Sequence, residues 1–388
     1  MSTQNTRGFR ATQSTPDTES TPGKQGTQST TGTQSTRDLA TAQTPVTSTF
    51  ELVSAGRRRR ARARLVAASL VGVVVVAIFA VSLMVGHTFY SPSEVWRVIL
   101  GQTVPGASFT VGELRLPRAV LALLVGSALG MAGVTFQTML RNPLASPDVI
   151  GISAGAGAAA VFAVVVLHLD QLQTSAVAVV AGLATAALIY VLSYKDGMVG
   201  TRLILIGIGI AAMLHAVVNY VLTQAAEWDL PAAMRWITGS VNDADWATLT
   251  PLALAVAVLT PILLSQSGNL RLLQLGDDTA AALGVRVERT RIISIVAAVG
   301  LIAFATAAAG PVAFVAFLAG PIAARIVPSG GSLTVPAGLT GALLVLGADL
   351  LGQFAFDARY PVGVITGALG APYLVYLLIR SNRSGGSL

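Results

Sequence analysis

The chain of 388 residues contains no cysteine. Disulfides, thiolate metal sites, iron–sulfur clusters and cysteine nucleophiles are therefore excluded. Charge is scarce as well: 11% of the residues are charged, against about a quarter in a soluble domain. Lysine occurs only at Lys24 and Lys195, and neither lies in a G-x-x-x-x-G-K-[ST] sequence, so the chain has no loop of the kind that cradles nucleotide phosphates. The three histidines, His87, His168 and His215, lie far apart with no ligand spacing, and no metal site is expected. Apolar residues, in contrast, make up 53% of the chain and raise its mean hydropathy to +0.69. Such a chain is an integral membrane protein. Its 39 glycines fit that class, because small residues let membrane helices approach closely. Gly151, Gly155 and Gly157 lie inside an apolar segment and read as helix packing rather than as a phosphate loop. The net charge of +7 sits at the ends of apolar segments, which points to membrane lipid and not to nucleic acid.

Ten apolar segments reach spanning length, at about 65–85, 117–140, 149–169, 174–194, 203–224, 249–265, 292–309, 311–327, 335–356 and 362–379. The seventh and eighth are separated only by Gly310-Pro311, a tight turn. The expected fold is all-α with about ten transmembrane helices, and an even number places both termini on one side. Arg57, Arg58, Arg59, Arg60, Arg62 and Arg64, immediately before the first span, fix that side as the cytoplasm. Residues 1–56 are rich in Thr, Ser and Gln, with TQST beginning at Thr12, Thr27 and Thr33. Too little apolar surface is present there to offset the entropy of ordering, so a disordered cytoplasmic tail is expected. A membrane domain over 57–380 and a short tail over 381–388 complete the division. At membrane depth, Asp349 calls for a partner inside the bundle or near its outer end. His215 and Asn219, four apart on the fifth span, share a face and suit either a watery path or an interhelical hydrogen bond.

One hydrophilic segment interrupts the later spans: GNLRLLQLGDDTAAALGVRVERTR, residues 268–291, expected in the cytoplasm. Asp277 and Asp278 precede a short apolar run, Ala280 to Leu283, which Gly284 closes. An Asp at a helix start supplies an acceptor for free backbone N–H groups, and a Gly at its end takes the left-handed conformation that stops it. A two-turn helix cannot support itself in water. It is therefore expected to rest on the membrane domain, on a partner, or on both.

The stretches RLPRAVLALLVGSALGMAG (115–133), RNPLASPDVIGISAGA (141–156), RLILIGIGIAAML (202–214), LGDDTAAALGVRVERTR (275–291) and GADLL…YPVGVITGALGAPYL (347–374) carry a family resemblance. The chain resembles permease subunits of FecCD/BtuC-type iron-siderophore ABC importers, and is most similar to those for ferric enterobactin and other catecholates. The resemblance implies a non-enzymatic permease in a bacterial plasma membrane, carrying ferric siderophore without a cofactor of its own. It implies ATP on a separate cytoplasmic ABC ATPase dimer, a second permease subunit that is a paralogue rather than a copy, and an extracellular siderophore-binding lipoprotein. It assigns ATPase coupling to Leu275, Gly276, Asp277, Asp278, Ala281, Leu283 and Gly284. Docking of the binding protein falls to Arg115, Arg118 and Arg359, and the translocation path to Leu205, Gly207, Gly209, His215 and Asn219. Haem or cobalamin as cargo, and an ion-gradient-driven transporter, are the alternatives. In one place the chain departs from its relatives: GPVAFVAFLAGPIAAR (310–325) has Gly320-Pro321 where they carry Pro-His.

Overall fold

A computed structural model describes residues 46–146, 151–194 and 200–385. The Thr/Ser/Gln-rich segment up to residue 45, the Pro147–Ile150 portion of the SPDVIG stretch, Lys195 and residues 386–388 lie outside the described residues. Among the described residues the regular elements are all helical. In chain order they are α1 (Val46–Met84), α2 (Pro92–Ile99), α3 (Ala107–Phe109), α4 (Leu116–Met139), α5 (Ile152–Val165), α6 (Gln171–Ser193), α7 (Gly200–Thr223), α8 (Leu230–Thr238), α9 (Trp246–Leu273), α10 (Asp277–Ala282), α11 (Val287–Ala309), α12 (Val315–Ile326), α13 (Thr334–Phe354) and α14 (Val362–Gly385). A π-helical turn, Thr110–Arg115, joins α3 to α4.

Each of the ten apolar segments coincides with one helix. Among the described residues, seven stretches are long and apolar enough to cross a membrane: within α1, the run from α3 through α4, α6, α7, α9, α11 and α13. The apolar parts of α5, α12 and α14 are shorter. Several boundaries differ from the sequence reading. Helix α1 begins at Val46, and α14 continues into 381–385. Helix α9 runs on through the polar turns to Leu273, and α11 starts at Val287, which reduces the hydrophilic connector to 274–286. The turn between α11 and α12 takes five residues, since Pro311 lacks an N–H and Gly310 and Phe314 both adopt positive φ (71° and 63°).

At the centre stands α4, most of whose residues are buried. Its glycines face backbone directly. A Cβ on Gly126 would meet the Gly341 carbonyl oxygen at 2.4 Å, on Gly130 that of Ala337 at 2.2 Å, and on Gly133 that of Ala316 at 1.8 Å. Helices α13 and α12 therefore pack on α4 at a separation no larger residue permits. Helix α1 leans on this core through Val71, Val75 and Leu83, while α7 exposes most of its length.

Hydrogen bonds sort the helix ends into two opposite faces. On one, Arg64 of α1 reaches the carbonyls of Pro328 and Ser332 between α12 and α13 (2.7 and 2.5 Å), Arg141 after α4 reaches Leu273 O at the end of α9 (2.9 Å), and Tyr194 after α6 donates to Glu288 at the start of α11 (3.0 Å). On the other, Arg115 before α4 holds the carbonyls at the end of α1, and Ser175 of α6 donates to Ala307 O near the end of α11 (2.8 Å). There too Ser240 N, after α8, meets Ala309 O (2.7 Å), and Gly363 N of α14 meets Gly239 O (3.1 Å).

Candidate functional site: an exposed connector helix

Helix α10 lies on the first of these faces, between α9 and α11. Glycine is required at both of its ends: Gly276 has φ 109° and Gly284 φ 88°. At the C-terminus the Gly284 N–H reaches Ala281 O (2.9 Å) and the Val285 N–H reaches Ala280 O (3.0 Å). This is the paired closure of a Schellman motif, with Ala280 and Val285 buried against each other's side of the turn. The stop at Gly284 follows from the sequence. The start does not: Gly276, not an Asp, is the N-cap, and no side chain caps the helix. Asp277 is already the first helical residue. Its carboxylate is occupied by two guanidiniums, Arg291 Nη2 at 2.9 and 2.8 Å and Arg141 Nη2. Two flanking cations outcompete a cap for the same oxygens, because charge-assisted hydrogen bonds are the stronger ones.

This arrangement fixes α10 to the bundle from one side only. Arg141 joins it to the ends of α4 and α9, and Arg291 joins it to α11. What remains outward is mostly apolar: Leu275 and Leu283 are 61% and 57% exposed, and Ala281, Ala282 and Gly284 are exposed with Asp278. Leu275 and Leu283 are thus the large apolar side chains that this connector exposes. Beside it, the Tyr194 phenol is pushed above its ordinary value, chiefly because its hydroxyl donates to the Glu288 carboxylate. Arg141 and Arg291 were not singled out by sequence reasoning. Their signal was indirect, since both lie in stretches that carry the family resemblance.

The three arginines expected on the outer face do not act alike. Arg118 makes a bidentate pair with Asp349 (2.6–3.1 Å), and Gln353 donates to the same carboxylate (2.8 Å). Asp349, 4% exposed, thus has the partner its depth demanded, and Arg118 is consumed in supplying it. Arg115 is likewise spent on the carbonyls of Leu83, Met84 and Thr88 and lies over the Tyr90 ring. With their guanidiniums saturated by internal acceptors, these two present little free charge outward. Arg359 is exposed, with His87 as its neighbour.

On α7, Leu205, Gly209, His215 and Asn219 are exposed along one side, and a Cβ on Gly209 would meet nothing. Gly207 points the other way and is buried where the N-terminus of α5 approaches, its carbonyl 3.0 Å from a Cβ placed on Gly151. It is a packing residue and not part of the exposed stripe. Sequence reasoning also left Gly320-Pro321 without a structural role. Pro321 offers no N–H to the Phe317 carbonyl four residues back, and Gln137 Nε2 of α4 donates there instead (2.9 Å). Gly320 makes room for it: a Cβ there would lie 2.0 Å from Gln137 Oε1.

Comparison with known proteins identifies the family. Residues 73–380 match the model of the FecCD transport family. The ferric enterobactin transport system permease protein FepG of Escherichia coli (strain K12) is 39% identical over 299 residues, covering 77% of this chain and 91% of that protein. The achromobactin transport system permease protein CbrC of Dickeya dadantii (strain 3937) is 40% identical over 323 residues, covering 81% and 91%. Among solved structures, a metal-chelate type ABC transporter in an inward-facing conformation superposes with a TM-score of 0.72 at 27% identity, over 81% of this chain and 98% of that one. The chain therefore belongs to the FecCD transport family, as a multi-pass membrane permease subunit of an ABC importer of the metal-chelate and siderophore class.

Proposed function

We propose that this subunit carries a ferric siderophore of catecholate type inward across a bacterial plasma membrane, driven by ATP hydrolysed on a separate pair of ABC ATPase subunits. The observation that carries the reading is α10, a glycine-bounded helix clamped from behind by Arg141 and Arg291 and apolar on its open side. A helix held in that way transmits a push on its exposed face to α4, α9 and α11 together. In this reading the chain crosses the membrane ten times with both termini in the cytoplasm, and α10 lies on the ATPase side. The exposed stripe of α7 faces a paralogous second permease subunit across the path. An extracellular siderophore-binding lipoprotein docks at the opposite face, where Arg359 offers the free charge. The subunit binds no cofactor of its own. The catecholate assignment rests on the likeness to FepG.

The test uses the absence of cysteine. In vesicles holding the assembled importer, Asp278→Cys should react only with reagent on the ATPase side and Asp243→Cys only with reagent on the other. Uptake of a ferric catecholate should require ATP and binding protein. Labelling of both positions from one side would overturn the topology. Uptake that follows an ion gradient without ATP would overturn the mechanism, and uptake of cobalamin or haem in place of the ferric catecholate would overturn the cargo.

A further inference from the structure

Residues 57–64 read RRRRARAR, six arginines in eight positions. All lie on the continuous helix α1, upstream of residue 73 where the family match begins. Arg64 turns inward to Pro328 O and Ser332 O. Arg57, Arg58, Arg59, Arg60 and Arg62 are exposed, and none has a hydrogen bond or ion pair among the described residues. No acidic residue lies between Glu51 and the end of α1. Five like charges within about two turns repel one another, and each i, i+4 pair of this kind costs helix stability.

Their placement identifies what neutralises them. Four consecutive arginines go round a full turn, since an α-helix has about 3.6 residues per turn. The guanidiniums therefore point to every side of α1. A protein partner laid on one face neutralises only part of such a ring, whereas a headgroup layer surrounds it. The apolar run begins without a gap at Leu65 and Val66, 68% and 59% exposed. At about 1.5 Å per residue the arginine segment is about 12 Å long, and long side chains reach up and down from it, enough to cross a headgroup layer of about 5–8 Å. Arg64, hooked to the α12–α13 connection, sets the level of this layer at the bundle face that carries α10.

We propose that Arg57, Arg58, Arg59, Arg60 and Arg62 form a collar that binds the phosphate headgroups of anionic phospholipids in the leaflet on the α10 side. Apart from a few buried contacts, α1 has little that holds it to the bundle, so bound lipid fixes its depth, and Arg64 carries that constraint to the α12–α13 connection.

The full-length chain, assembled with its partners in nanodiscs, tests this. An environment-sensitive fluorophore at Ala61→Cys reports the collar, and phosphatidylglycerol is titrated against phosphatidylcholine at constant total lipid. A saturable response to phosphatidylglycerol is expected, weakened by salt. Each Arg→Gln change should lower the preference about fivefold, and replacement of all five by Gln should abolish it, while replacement of all five by Lys retains it. In sealed vesicles, labelling of Asp278→Cys in the Gln variant from the same side as in the natural sequence confirms that it is correctly inserted. Three results would overturn the proposal: phosphatidylglycerol preference undiminished in a correctly inserted five-Gln variant, displacement of the lipid by inorganic phosphate at matched ionic strength, or a fluorophore that responds to the ATPase subunits in pure phosphatidylcholine and not to phosphatidylglycerol.

Discussion

Replacing Gln137 by Ala should destabilise the subunit through a single backbone carbonyl. Pro321 leaves Phe317 O without an intrahelical donor, and Gln137 Nε2 fills the vacancy from a neighbouring helix. Both groups are buried: Gln137 is 7% and Phe317 5% exposed. A buried acceptor stripped of its partner costs about 1–3 kcal/mol, a factor of roughly 5 to 150 in the folding equilibrium. Removal of the side chain adds a cavity cost, which a cycle of variants subtracts. In Pro321→Ala, residue 321 regains an N–H that can reach Phe317 O within α12. Gln137→Ala should then cost about 1–2 kcal/mol less in the Pro321→Ala background than in the natural one, within the range expected of directly coupled residues. Equilibrium unfolding of all four proteins in one detergent measures the difference. Equal costs in both backgrounds would refute the idea that the amide stands in for the missing N–H.

Other expectations concern packing, charge and coupling. Gly341→Val should prevent accumulation of folded protein, because its Cβ would lie 2.1 Å from Gly126 O; Gly209→Ala, which meets nothing, should accumulate normally, and immunoblots of membranes after gel filtration distinguish them. Arg118→Ala should destabilise by about 3–5 kcal/mol, since it strands a carboxylate that is 4% exposed, and a fall in thermal stability reports it. Arg359→Glu should leave stability unchanged, yet weaken docking of the binding protein and flatten its salt dependence in a pull-down titration. Asp277→Asn should change stability by less than about 1 kcal/mol, because the pair it breaks is half exposed, while substrate-stimulated ATP hydrolysis falls.

The long apolar helices were legible because an apolar run of spanning length is a strong signal, and seven of the ten expected segments hold a helix long and apolar enough to cross a membrane. Helix ends were less so. The last turns of α9, SQSGNLRLL, are polar and still helical, since helical backbone needs no apolar side chain once a span has nucleated it. The short outer helices α2 and α8 also escaped notice, having too few turns for a clear period. At the connector, Gly284 announced its own conformation because few other residues adopt positive φ at no cost. Asp277 misled: an acid at a helix start reads as a cap, and nothing local reveals that Arg141, 136 residues earlier, claims it. The same holds for Arg118, whose pairing with Asp349, 231 residues away, nothing local reveals. Long-range pairing is the information that a linear reading lacks.

The central claim is that α10 receives the force of the ATPase. A cysteine at Ala281, introduced into this cysteine-free chain and assembled with ATPase subunits carrying single cysteines along their permease-facing groove, measures it directly. Disulfide formation between the two chains is expected in the assembled importer, with a yield that changes on ATP binding, and Ala281→Arg should abolish both uptake and stimulated hydrolysis while the protein still inserts. Absence of any cross-link from Ala281, together with normal uptake by Ala281→Arg, would contradict the account.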